Sequence, residues 1–278
     1  MPRIALGLEY DGSQYAGWQE QVHAAGIQTA LQSALTLVAD HPVVTTTAGR
    51  TDAGVHASMQ IVHFDTNAQR TERGWIMGAN TNLADSISVL WARNVPDDFN
   101  ARYSAIARSY RYIILNRVSR PAVLRDRVCW IREPLDAGLM HTGAQHLIGD
   151  QDFSSFRAAE CQSRSATRRL YKIDVSRYRE YVVIDVTANA FLHHMVRNIA
   201  GVLIEIGRGR QPTDWPLHVL QARNRSAGGV TAAAAGLYLL GVYYPSQFNL
   251  PSLPRSAGWP PGPDWPIFPL DPVRSSKP

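Results

Sequence analysis

At 278 residues, 45% hydrophobic and 18% charged, the chain is long enough to bury one large core or two smaller ones, and its balance excludes a disordered or fibrous protein. Its two cysteines, Cys129 and Cys161, lie outside any CxxC spacing, which argues against a disulfide framework and a structural zinc site; no apolar run approaches the roughly 18 residues of a membrane span, and the N-terminal apolar run is too short for a signal peptide, so the cytoplasm is the expected location. The net charge of +5 is unevenly spread, with 5 basic and 10 acidic residues in 1–100 against 23 and 13 in 101–278, so any polyanion contact is expected on the second part.

Arg3 to Tyr10 is β-branched and aromatic enough for a strand and stops at the turn signal Asp11-Gly12. An amide- and aromatic-rich loop, Ser13 to Gln19, follows. Ile27, Leu31, Ala34, Leu35 and Val38 share one helical face, which predicts an amphipathic helix over 27–39. Pro42 to Thr47 reads as a second strand and Met59 to Asp65 as a third; Glu72 to Leu83 reads as a weak helix, and Ile87, Val89 and Trp91 alternate as a fourth strand. This β-α-β-β-α-β order is the ferredoxin-like pattern.

The second part repeats that order. Arg108 to Arg117 reads as a strand, Asp136 to Ile148 as a helix, Tyr171 to Tyr178 and Tyr181 to Thr187 as two strands, and His193 to Gly207 as a second helix; a further helix near Asp214 to Arg223 precedes a last strand, Leu237 to Tyr244. Arg179-Glu180 is poor chemistry for a two-residue turn, so a longer or bulged hairpin is expected there. The expected class is α+β: two ferredoxin-like (RRM-like) lobes, residues 1–100 and 101–245, with an open cationic sheet surface beside a cleft. Residues 246–278 are rich in proline, which excludes helix and central strand and predicts an extended tail with no catalytic role.

Between the second and third strands lies Gly49-Arg50-Thr51-Asp52-Ala53-Gly54, a carboxylate flanked by glycines with an arginine two residues before it. Small flanking residues permit close backbone approach, and an arginine about 4 Å from a carboxylate contributes roughly 4 kcal/mol at an intermediate dielectric, enough to hold it ionised in a partly buried cleft. The alternative is a connecting turn with a surface Arg-Asp pair. In the second part, alternation puts Arg108, Tyr110 and Tyr112 on one strand face, suited to stacking and phosphate contact with single-stranded RNA, although tyrosine is also an ordinary strand residue. Eight arginines between Arg102 and Arg132 face one acid, and seven basic residues between Arg157 and Arg179 face two, a footprint for phosphate. Arg197 lies opposite the apolar stripe of its helix and faces solvent or a cleft. His193 and His194 are adjacent and lack a partner at metal-ligand spacing, so no metal site is expected. No phosphate-binding glycine loop appears either, leaving nucleotide cofactors unsupported.

Taken together, YDGSQYAGWQ at Tyr10–Gln19, AGRTDAGVHA at Ala48–Ala57, SYRY at Ser109–Tyr112, DFSSFR at Asp152–Arg157, FLHHMVRN at Phe191–Asn198 and GLYL at Gly236–Leu239 resemble the bacterial tRNA pseudouridine synthase A family, in the family's order and over residues 3–245. The resemblance implies two ferredoxin-like lobes in one continuous, mainly antiparallel sheet with a central active-site cleft. It also implies a homodimer, no metal or organic cofactor, and isomerisation of uridines 38–40 in the tRNA anticodon stem-loop. By matching positions, Asp52 looks like the essential aspartate, Tyr110 like the active-site tyrosine and Arg197 like the basic residue that pairs with the aspartate. Arg50 is similar to the arginine that helps displace the target base, and Leu237 to an apolar wall under the uracil. Ser109 stands where an arginine is common, and Ala232 to Ala235 replace a varied segment. Two other readings exist: a non-catalytic protein of two RRM-like sheets, which leaves the Arg-x-Asp loop unexplained, and an RNA hydrolase, which lacks a second carboxylate or metal nearby.

Overall fold

The computed structural model describes residues 1–19, 24 and 26–251; most of the expected proline-rich tail, residues 252–278, lies outside the described residues. The class is mixed α+β with mostly antiparallel strands, and the described residues divide into two compact units: 1–106 with 238–251, and 107–237.

The first unit contains β1 (Arg3–Tyr10), α1 (Ile27–Ala39), β2 (Thr46–Thr47), β3 (His56–Asp65), α2 (Glu72–Asn82) and β4 (Ile87–Val95). Its strands run β4-β1-β3 with β2 beyond β3, all antiparallel, and β10 (Leu237–Tyr243) pairs parallel with the start of β3 at Tyr238↔His56 and Leu239↔Ala57. The second strand is far shorter than the expected Pro42–Thr47, because only Thr46 and Thr47 reach partners, His63 and Val62 on β3. Helix α1 spans the residues its apolar stripe predicts and ends at Asp40 in a left-handed cap. Thr71 caps α2 by accepting the Gly74 N–H. Strand β3 is buried along nearly its whole length because both faces are covered: Phe64 meets Trp75 of α2 edge-on at 5.1 Å, and on the alternate face His63 meets Phe99 at 5.9 Å. Phe99 also holds Tyr244 and Phe248, each at 5.1 Å, so residues 244–248 complete this core.

The second unit contains β5 (Ala107–Asn116), β6 (Cys129–Ile131), α3 (Ala137–Ala144), β7 (Gly149–Asp152), β8 (Thr167–Tyr178), β9 (Tyr181–Ala188), α4 (Met195–Gly207) and α5 (Trp215–Ala222). Its strands run β5-β9-β8-β7 antiparallel, with β6 parallel to β5. The hairpin differs from expectation: Tyr178 pairs with Tyr181, so Arg179-Glu180 is a two-residue turn after all, closed with Arg179 at φ 52 in the left-handed region. Helix α4 starts at Met195 rather than His193, since His194 sits at φ 62 and breaks the helical path. Met140, Phe153, Phe156, Ile199, Leu203 and Ile206 are fully out of solvent and form this unit's core. Arg111 belongs to the interior as well. It lies opposite Asp185 in the β5–β9 ladder and grips it with two bonds of 2.7 and 2.9 Å, which removes it from the expected phosphate footprint.

Candidate active site

In the first unit the loop Ala48–Val55 carries Asp52 and is clamped from below by side chains of β1 and β3. Tyr10 Oη and Thr51 Oγ1 share a hydrogen bond of 2.8 Å, and Gln60 Nε2 donates to the Gly49 carbonyl at 2.7 Å. Gln60 is completely buried, and burial pushes the Tyr10 phenol up to about 12, so the network stays neutral beneath the loop. A second clamp comes from the segment after β1: Trp18 N–H donates to the Thr51 carbonyl at 3.0 Å, Gly54 N–H to the Tyr15 carbonyl at 3.3 Å, and Val55 N–H closes a turn onto the Asp52 carbonyl at 3.1 Å.

Two glycines make that contact possible. A Cβ on Gly12 would stand 1.9 Å from the Val55 carbonyl oxygen, and Gly17 adopts φ +101 with its missing Cβ 2.8 Å from the Thr51 oxygen. This is the local reason for the glycines in the YDGSQYAGW stretch. At the loop's exit His56 is buried, stacked on Tyr238 at 4.6 Å, with Nδ1 3.1 Å from the Gly12 N–H and 3.0 Å from Asp11 Oδ1. A neutral ring accepts from Gly12 and a protonated one donates to Asp11; either bond ties the two loops together.

Asp52 itself is half-buried and Arg50 is exposed. Among the described residues the Arg50 side chain makes no ion pair, so its own loop does not hold it against the carboxylate. Backbone anchoring at Gly49 and Thr51 on either side of it leaves that guanidinium available to a ligand.

In the second unit two of the expected site residues, Arg197 and Leu237, are organised around one segment, with Tyr112 bonded to it as well. Arg197, half-buried in the first turn of α4, donates from Nε to the Ala232 carbonyl at 2.9 Å, and the Ala232 N–H returns a bond to the Arg197 carbonyl at 3.1 Å. Tyr112 on β5 donates to the next carbonyl, Ala233, at 2.7 Å. Gly236 lies so close to β5 that a Cβ would be 2.7 Å from the Ile113 oxygen, and this seats Leu237, 5% exposed, at the start of β10. Tyr110, on the same strand face as Tyr112, is buried and meets Phe191 edge-on at 5.0 Å. Behind this segment Asn198 Oδ1 accepts from Arg225 and from Thr231, at 3.0 and 2.7 Å, while its amide donates to the Phe156 carbonyl at 2.8 Å.

Sequence reasoning did not find the supporting residues Tyr10, Thr51, Gln60, Asn198 and Arg225. The one signal available was Gln60, an uncharged amide at the centre of a strand, His56–Asp65, that is buried along nearly its whole length.

A family profile described as tRNA pseudouridine synthase matches residues 8–104 and 144–245 of the chain. A tRNA pseudouridine synthase A of Coxiella burnetii (strain Dugway 5J108-111) is 56% identical over 254 residues, covering 91% of this chain and 97% of that one. The corresponding proteins of Nitrosococcus oceani and Vibrio parahaemolyticus are 55% and 53% identical, each over 91% of this chain and over 98% and 96% of their own length. One solved structure, of a Cbf5-Nop10-Gar1 complex, aligns with 84% of this chain and 57% of its own at 9% identity, and its TM-score of 0.35 is too low to bear on the fold. The matches over nearly the whole length of these relatives make the chain an isomerase acting on tRNA. It belongs to the tRNA pseudouridine synthase family. Among the described residues, no helix is long and apolar enough to cross a membrane.

Proposed function

We propose that this synthase isomerises uridines 38–40 of the tRNA anticodon stem-loop, with Asp52 as its catalytic carboxylate. The observation that carries the reading is the Asp52 loop itself: a half-buried carboxylate whose backbone is fixed on both sides by buried polar groups, beside an arginine left exposed. The reaction breaks the C1′–N1 bond, forms C1′–C5, removes the C5 proton and returns a proton to N1, so it consumes neither water nor a redox agent. Attack by the carboxylate at C1′, attack at C6 and carboxylate-promoted elimination all require Asp52 ionised.

The remaining roles follow the family resemblance. Tyr110 stacks on the base and relays the proton, Arg197 keeps the aspartate charged, Leu237 walls the uracil against loss, and Arg50 fills the gap left by the displaced base, whose unstacking costs a few kcal/mol and less in a loop. The reading takes each unit as a ferredoxin-like lobe, the first on residues 1–100 and the second on 101–245. The β4-β1-β3-β2 order supports the first assignment. The enzyme works in the cytoplasm as a homodimer without metal or organic cofactor.

Asp52→Asn keeps the size of the side chain and removes its charge. It is expected to lower pseudouridine formation by on the order of 10³-fold or more while tRNA affinity changes little. Site-resolved pseudouridine mapping of tRNA incubated with each protein is the measurement, and turnover by the variant at a normal rate ends the assignment.

A further inference from the structure

We propose that Arg157 and Arg168, with Arg108 beside them, form a subsite for one backbone phosphate of the tRNA, on the same unit as Tyr110. The inference rests on RNA being the substrate and adds where its backbone is held. Segment 157–168 bends so that two guanidiniums meet at Ser163: Arg157 Nη1 donates to the Ser163 carbonyl at 3.5 Å, and Arg168 Nη2 donates to the Ser163 hydroxyl at 2.7 Å. Arg168 is further fixed by bonds from Nη1 to the Ser165 and Thr167 carbonyls, at 3.0 and 2.6 Å, and its Nε is buried without a partner. Every one of these acceptors is neutral.

Neither Arg157 nor Arg168 forms an ion pair among the described residues. The nearby carboxylates bond to other groups, although the charge of Arg157 also acts on Asp152. Asp152 accepts both the N–H and the hydroxyl of Ser154, at 2.9 and 2.5 Å, and lies 3.5 Å from Arg223; Asp150 lies 3.8 Å from Arg169. Burial lowers the pKa of Arg168, and the charge of Arg108, whose Nη1 is fixed on the Asn189 carbonyl at 2.9 Å, lowers it further. Half-buried guanidiniums gathered around neutral oxygens cost desolvation and mutual repulsion that an arriving phosphate offsets with charge-assisted, forked bonds. Position supports the same ligand. Arg108 is two residues before Tyr110 on one strand face, about 6.6 Å away, and single-stranded RNA is commonly held by an aromatic stacked on a base with arginine on the adjoining phosphate.

The test is equilibrium binding of unmodified tRNA to the full chain across a range of salt concentrations. Arg157→Gln and Arg168→Gln are each expected to weaken binding about fivefold at low salt and to reduce the slope of log K against log salt by about 0.7–0.9, the value for one phosphate contact, whereas Arg168→Lys retains most of the slope. Because Arg168 also pins its own loop, Arg157→Gln, which gives up one long bond, decides the matter if Arg168→Gln lowers the melting temperature. A folded Arg157→Gln protein with the wild-type slope overturns the subsite. Pseudouridine formation by the same wild-type preparation separates the two levels: activity with unchanged slopes in the variants refutes the phosphate subsite alone, and absence of activity refutes the function on which it rests.

Discussion

At Tyr10 a single hydroxyl connects the core to the Asp52 loop. Its partners are the Thr51 hydroxyl at 2.8 Å and the Gln60 amide at 3.4 Å, all out of solvent, so Tyr10→Phe leaves two buried polar groups short of a bond. The expected cost is about 1–3 kcal/mol. Burial also gives this residue a pH signature. Its phenol is raised to about 12 from 10.0, so the unfolded chain releases this proton at lower pH than the folded one. Its contribution is therefore complete below pH 10 and is lost as pH rises from 10 to 12, by about 2–3 kcal/mol at the upper end. Urea unfolding of the wild type and of Tyr10→Phe at pH 9 and near pH 12 checks both statements, since the extra alkaline loss disappears in the variant. A wild type and variant that fall in parallel would show that Tyr10 titrates normally. The partners explain why the sequence hid this network: they are 41 and 50 residues apart along the chain, and no periodic pattern joins them.

At the scale of elements, α1 and β1 were legible because one face or alternation of apolar residues persists for eight residues or more, and they lie where that pattern predicts. β6 and β7, of three and four residues, are too short to carry a pattern, and the left-handed Arg179 that closes the β8–β9 hairpin follows from pairing on both sides rather than from turn chemistry. The candidate site was legible at Asp52, where a motif of particular residue types marks it, and illegible where backbone proximity does the work. Gly201 illustrates this second kind. It sits within α4, where alanine is the better helix former by about 1 kcal/mol, yet a Cβ there would lie 2.0 Å from the Val230 oxygen. Gly201→Ala is thus expected to destabilise the protein by about 1–3 kcal/mol, against its helix propensity, by driving residues 229–232 away from the helix. The same shift moves the Ala232 carbonyl that holds Arg197, so turnover should fall along with the unfolding midpoint. Denaturant titration gives the sign directly, and a stabilised variant would mean that the segment yields without cost.

For the whole molecule the question is where the working protein ends. The family match stops at residue 245, and a proline-rich stretch was expected to begin at once as a tail without a role in the reaction. Residues 246–248 instead form a helical turn whose Phe248 is 8% exposed and meets Phe99 at 5.1 Å. Phe99 in turn lies against His63 of β3, the strand that leads out of the Asp52 loop, so the turn at Ser246–Phe248 packs into the core that supports this strand. Two truncations consequently differ. A chain ending at Pro251 is expected to keep its unfolding midpoint, its tRNA affinity and its pseudouridine formation. A chain ending at Pro245 also loses Phe248, exposing Phe99 and Tyr244, and should be less stable by about 3–5 kcal/mol, the range for removing a large aromatic side chain from a core. Comparing thermal unfolding with tRNA binding for both proteins tests each half of the expectation. Reduced binding by the Pro251 form at unchanged stability would assign the last 27 residues to the RNA, because stability and affinity would then depend on different parts of the chain.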